Sequence, residues 1–218
     1  KPLKPGPNAV KVVSIGMDDQ ESSKTVEITR SPGGTLYYLG IGVNKYEYQQ
    51  GAYNLNYAVP DVEDVGALFE KQTKLFSQVR RMILTDAEVT RDNVIQNSDL
   101  FLSSATQNDT VVIYMSGHGQ KDPNGVYYFM TADSDFDRPK VKALSIGMIQ
   151  EQLLIIAKTR KVPLLMLLDT CYSRTVAKGR GAEEYNELKG FLKTASEDTR
   201  AVVIGAANSV SALPMSIW

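Results

Sequence analysis

Cysteine and histidine are nearly absent from this chain. Its 218 residues hold one of each, Cys171 and His118. A single cysteine excludes an internal disulfide framework and suits a reducing, cytoplasmic setting. With one histidine beside it, no transition-metal centre is expected. Charge of one sign is also lacking. The formal net charge is −1, so nucleic acid is not an expected partner. No apolar run approaches the ~20 residues needed to span a bilayer, and no membrane partner is expected. The chain starts at Lys1 rather than Met and shows no signal peptide, so we read it as a fragment or processed form. What remains is ordinary for a globular domain: 43% of residues are hydrophobic and 22% charged. The length suits one α/β domain with an appendage.

Residues 1–34 differ from the rest of the chain. Three prolines and a glycine lie within residues 1–8, which read as a linker. Residues 9–17 (AVKVVSIGM) and 24–30 (KTVEITR) are β-like runs, and Ser31-Pro32-Gly33-Gly34 breaks the chain. They predict a hairpin, or the tail of an upstream regulatory domain. The main domain is expected over residues 35–218. Its continuous apolar runs of strand length are residues 36–43 (LYYLGIGV), 79–85, 110–115 (TVVIYM), 162–168 (VPLLMLL) and 201–206 (AVVIGA). Helical patterns lie between them. Pro60 suits a first helical position, with Val62, Val65, Leu68 and Phe69 behind it. Thr90 can cap a second helix that buries Val94, Ile95, Phe101 and Leu102. Ser145 can cap a third, along Ile146, Ile149, Leu153 and Ile156. Residues 44–57 are polar and aromatic without a period, hence a loop. Residues 126–130 (VYYFM), after an Asn124-Gly125 turn, read as a β-ribbon on top of the domain. Residues 183–192 predict a short helix. This alternation argues for an α/β fold, a largely parallel sheet covered on both faces.

In such sheets ligands bind beyond the carboxyl ends of the strands. Two apolar runs end just before Ser116-Gly117-His118-Gly119 and Asp169-Thr170-Cys171-Tyr172-Ser173, so His118 and Cys171 are expected beyond two strand ends, 53 positions apart. A thiol attacks a carbonyl only as thiolate, and an imidazole can both activate it and protonate the leaving amine. The oxyanion formed needs fixed donors. The N–H of Gly119 and that of Cys171 are candidates, with Gly117 and Gly119 expected to turn the backbone sharply around the histidine. The alternative is an inert buried thiol and a satisfied loop histidine. Two unique residues at matched places favour a thiolate–imidazole pair.

From about Thr35 onward the chain resembles the caspase-like cysteine peptidases, especially the metacaspases and their bacterial relatives. The resemblance rests on Leu39-Gly40-Ile41-Gly42-Val43-Asn44, on residues 55–62 (LNYAVPDV), on Ser-Gly-His-Gly as the histidine motif, and on Asp-Thr-Cys-Tyr-Ser as the nucleophile motif. Tyr172 and Arg174 depart from the family's usual His and Gly. The resemblance implies a three-layer caspase-like α/β fold and an endopeptidase with a His118–Cys171 dyad. The oxyanion hole would use the Gly119 and Cys171 N–H groups. The family usually continues past the fifth strand, so we expect further residues, or a processed partner fragment, to complete the domain after the apolar residues 211–218.

The resemblance also places acids at the positions of Asp61 and Asp169. Two carboxylates in one pocket favour a substrate Arg, then Lys, and reject Asp. The alternatives are a helix N-terminal charge for Asp61 and a strand-end cap for Asp169. Arg174, Lys178 and Arg180 lie just after Cys171 and are candidate self-cleavage positions; a solvated basic loop is the alternative. Asp133, Asp135 and Asp137 alternate as carboxylates that can hold Ca²⁺ do, and several metacaspases need it; a solvated loop is again the alternative. No resident cofactor is expected. Expected partners are proteins or peptides with a basic residue at the cut. A catalytically silent caspase-fold scaffold and another thiol hydrolase are the competing functions.

Overall fold

Continuous apolar runs need two covered faces, and the sheet built from them has both. In the computed structural model, residues 6–15, 21–30, 33–151, 159–172 and 201–206 are described. Strands β1 (Gly6–Ile15) and β2 (Glu21–Arg30) pair antiparallel as a two-stranded sheet; they begin three residues before the β-like runs at residues 9 and 24, so residues 6–8, expected as linker, belong to β1. Strands β3 (Gly33–Gly42), β4 (Phe76–Thr85), β5 (Thr110–Lys121), β8 (Leu164–Tyr172) and β9 (Ala201–Ala206) build the main sheet, running parallel in the order β4-β3-β5-β8-β9. Strands β6 (Tyr127–Phe129) and β7 (Leu144–Ser145) extend the sheet antiparallel from the last residues of β5.

Alternation along these strands divides the core into two layers. On one face Leu36, Tyr38, Val112 and Tyr114 pack with Val62 of helix α1 (Ala58–Glu70), with Leu165 and Leu167 against them. On the other, Leu39, Ile41, Val111, Ile113, Met115, Leu164, Met166 and Leu168 pack with Val94, Phe101 and Leu102 of helix α2 (Arg91–Leu102) and Ile149 of helix α3 (Ile146–Ile149). This is the expected three-layer arrangement. Helix α1 lies tightly on β3 because position 42 has no side chain. A Cβ there would meet the Ala58 carbonyl oxygen at 2.7 Å and Val62 Cγ2 at 2.8 Å. The Tyr38 hydroxyl donates to the Val62 carbonyl at 2.5 Å, within the same layer.

Both expected caps form. Thr90 Oγ1 accepts from Asn93 N–H, and Ser145 Oγ accepts from Met148 N–H. Pro60 falls on the third residue of α1, not the first; every N–H of a first turn lacks an intrahelical partner, so a proline fits there too. Residues 44–57 form a loop with a short 3-10 turn at Tyr48–Gly51. Residues 126–130 do not sit on top of the domain. Their central part is β6, inside the sheet, because β5 runs on past the end of β3 and offers it an edge. Leu153, Ile156 and the helix expected over residues 183–192 lie outside the described residues. Among the described residues no helix is long and apolar enough to cross a membrane.

Gly42→Ala tests the close approach of α1 to β3. The added methyl should destabilise the fold by about 1–3 kcal/mol, read as a lower urea midpoint. An unchanged midpoint would mean that the helix does not lie that close.

Candidate active site

The chain does not turn at the histidine. The apolar runs predict strand ends at residues 115 and 168. Instead β5 continues to Lys121 and β8 to Tyr172, so both motifs are extended backbone inside the ladder. Polar and glycine residues end an apolar pattern without ending a strand when neighbours on each side can pair with them. Here β8 pairs residues 116–119 and β6 pairs residues 119–121. The sharp turn expected at Gly117 and Gly119 is likewise absent. Small residues are needed there for packing. A Cβ on Gly117 would meet Tyr46 Oη at 2.9 Å, and one on Gly119 would meet Tyr127 Oη at 2.5 Å.

The same ladder brings the two unique residues together. In the parallel register of β5 and β8, His118 is the partner position of Cys171, and Ser116 that of Asp169. Adjacent strands lie about 4.8 Å apart, so the positions are immediate neighbours in the backbone. Gly119, the expected oxyanion donor, sits between Phe129 and Tyr172 in the ladder.

His118 is 8% exposed and is held by residues whose roles the sequence did not disclose. Its backbone N–H donates to Tyr46 Oη at 2.9 Å, and its carbonyl accepts from Met130 N–H at 2.9 Å. Its Nε2 lies 2.8 Å from the Tyr53 carbonyl oxygen. A carbonyl oxygen only accepts, so in the neutral ring Nε2 carries the proton and Nδ1 keeps the lone pair. The ring also packs edge-on against Tyr53 and Phe136, at 6.1 and 5.7 Å between centroids, and lies 5.1 Å from the Tyr46 ring.

The aperiodic segment 44–57 supplies two of these residues, Tyr46 and Tyr53, and it is anchored. Tyr46 N–H donates to Asn54 Oδ1 at 2.8 Å, Glu47 N–H to the Ala132 carbonyl at 2.9 Å, and Tyr48 Oη to Asp137 Oδ2 at 2.5 Å. Burial holds the Tyr46 phenol well above its ordinary range, even though the bond from His118 pulls the other way, so it stays a neutral hydroxyl. On the other side of Gly119, the Tyr127 hydroxyl donates to Thr170 Oγ1 at 2.8 Å, both side chains being buried. That bond crosses β5 and fixes the residue before Cys171.

The two expected pocket acids lie within electrostatic reach of each other. Asp61 stands in the first turn of α1 and Asp169 on β8. Burial first, then the Asp169 and Asp64 carboxylates, push the Asp61 carboxyl above its ordinary value. Tyr114 Oη donates to Asp169 Oδ2 at 3.3 Å. The acids of residues 133–137 hold local partners: Asp133 pairs with Lys142 at 3.2 Å, Asp135 with Arg138 at 2.8 Å, and Asp137 accepts from Tyr48. Arg174, Lys178 and Arg180 lie outside the described residues.

The parallel five-stranded sheet thus brings a histidine and a cysteine to partner positions on two adjacent strands. The model of the caspase domain matches residues 38–213, and the chain belongs to that family of cysteine peptidases. Among solved structures, the chain is similar to protein GSU0716 from Geobacter sulfurreducens, at 18% identity with a TM-score of 0.51 over 81% of this chain and 72% of that one. That likeness concerns the fold alone. No curated protein matches.

The raised Asp61 carboxyl gives a signed pH dependence. A carboxyl whose folded pKa exceeds its unfolded one is neutral at low pH and adds nothing there. It destabilises the fold as pH rises through the window from 3.8 to its raised value, and fully above it. Asp61→Asn should therefore raise the urea midpoint at pH 7 and leave it unchanged at pH 3. Equal midpoints for wild type and variant at both pH values would show that neither burial nor the neighbouring charges raise the Asp61 carboxyl.

Proposed function

We propose that this chain is a cysteine endopeptidase that cuts after basic residues, Arg first and Lys second, through a Cys171–His118 dyad. The observation that carries the reading is the cross-strand register of His118 and Cys171 in a caspase-domain chain. The specificity rests on Asp61 and Asp169, whose charges act on each other from α1 and β8.

The chemistry follows from these groups. His118 Nδ1 takes the thiol proton, and the thiolate attacks the scissile carbonyl carbon. The carbonyl electron pair moves onto oxygen, which accepts from the N–H groups of Gly119 and Cys171. The imidazolium returns its proton to the amide nitrogen as the C–N bond breaks and the amine leaves. Water, with His118 as base, then adds to the thioester, and the acid product and free thiol are released. The Tyr53 carbonyl keeps the ring from rotating and stabilises the imidazolium formed in both halves. No resident cofactor enters these steps. At the cut residue a guanidinium meets two carboxylates, and an acidic side chain meets repulsion. Arg174, Lys178 and Arg180 come directly after the nucleophile in the chain, so the enzyme processes itself there, and protein substrates with basic residues are its partners.

A panel of fluorogenic peptides with Arg, Lys, Asp or Leu before the cut, assayed with and without Ca²⁺, tests this. Turnover of the Arg and Lys peptides is expected, lost by at least about 10³-fold in Cys171→Ala and His118→Ala. Wild type should also fragment on incubation, with intact mass retained in Cys171→Ala. No turnover of basic peptides under either condition would refute the assignment.

A further inference from the structure

We propose that Tyr114 is the positioning residue of the acidic pocket: its hydroxyl orients the Asp169 carboxylate and so sets the preference for Arg over Lys. The inference rests on the pocket reading above and goes one residue deeper into it.

Tyr114 was an anonymous member of an apolar strand in the sequence. In the fold its ring is buried among Leu36, Tyr38, Val62 and Val112, and its hydroxyl reaches the Asp169 carboxylate, with the Asp61 charge also acting on it. Its position on β5 is two residues before Ser116, which faces Asp169 across the ladder. The hydroxyl donates its one proton to Asp169 Oδ2 at 3.3 Å. The bond is long for an O–H···O pair. Burial first, then the charges of Asp169 and Asp61, push the phenol up to about 12. It remains a donor at any pH at which the enzyme would be assayed.

Orientation matters unequally to the two basic side chains. A guanidinium is a planar fork that pairs with a carboxylate through two parallel N–H···O bonds, which requires the carboxylate plane to be set. An ammonium is a compact charge with three rotatable donors, and it tolerates a turned carboxylate. Removing the tether should therefore weaken Arg binding and leave Lys binding nearly intact, without touching Cys171 or His118.

The test compares two peptides that differ only in Arg or Lys before the cut, on wild type and Tyr114→Phe. For the Arg peptide KM should rise about 3- to 10-fold, the range of one net hydrogen bond, with kcat unchanged. For the Lys peptide KM should change less than about twofold. Tyr114→Met, which also lacks the hydroxyl, should shift the ratio in the same direction and serves if Tyr114→Phe does not fold. Asp169→Asn should weaken both peptides together, because it removes the charge. An unchanged Arg-to-Lys ratio, an equal loss for both peptides, or a loss confined to kcat would overturn the role of Tyr114 while leaving the peptidase intact. If wild type turns over neither peptide, binding of agmatine and n-butylamine to Cys171→Ala separates the cases. A preference for agmatine that Tyr114→Phe abolishes supports the pocket, and absence of agmatine binding overturns both the pocket and the inference.

Discussion

The site depends on one backbone constraint, the parallel ladder between β5 and β8. Hydrogen bonds along Val111–Leu164 through Gly119–Tyr172 set which residues are neighbours, and a slip of one position would send every side chain of a strand to the other face. In this register the apolar halves of both strands fill the two core layers. Their polar ends then place His118 opposite Cys171 and Ser116 opposite Asp169. The core that stabilises the sheet and the site at its end are thus parts of the same pairing. The buried residues Ile113, Met115, Met166 and Leu168 fix the register energetically, at about 1.5–3 kcal/mol for each fully buried side chain.

Around that ladder the aromatic residues perform a positioning task. Tyr46 and Tyr53 hold the backbone and ring of His118, Phe136 packs on the same ring, and Tyr127 ties Thr170 across Gly119. Glycine at positions 117 and 119 is explained by these rings, since any Cβ there would collide with Tyr46, Phe129 or Tyr127. The Ser-Gly-His-Gly motif is accordingly a packing motif. Its small residues let an aromatic shell close on both sides of a single histidine.

Much of the fold was legible because buried parallel strands leave uninterrupted apolar runs. Residues 201–206 became β9 without adjustment, and Thr90 and Ser145 announced their helices through capping chemistry. The extensions of β5 and β8 were not legible. Serine, glycine, aspartate and threonine carry no strand pattern, and what makes them strand is the partner across the ladder. The contacts of His118 were hidden for a related reason. Tyr46 and Tyr53 lie 72 and 65 positions earlier, in a segment with no period, and the hydrogen bond from Tyr53 is made by its backbone carbonyl. The density of tyrosines in residues 46–57 was the available signal. Asp61 and Asp169 were found through resemblance, whereas Tyr114 was concealed by its place in an apolar run.

The central claim is that the imidazole of His118 acts on the thiol of Cys171. Because the chain has one cysteine, alkylation by iodoacetamide reports on that thiol alone. The rate measured against pH in wild type should follow a thiolate formed well below the ordinary value of about 8.5, and His118→Ala should return the profile to that value. Identical profiles in the two proteins, both centred near 8.5, would contradict the dyad.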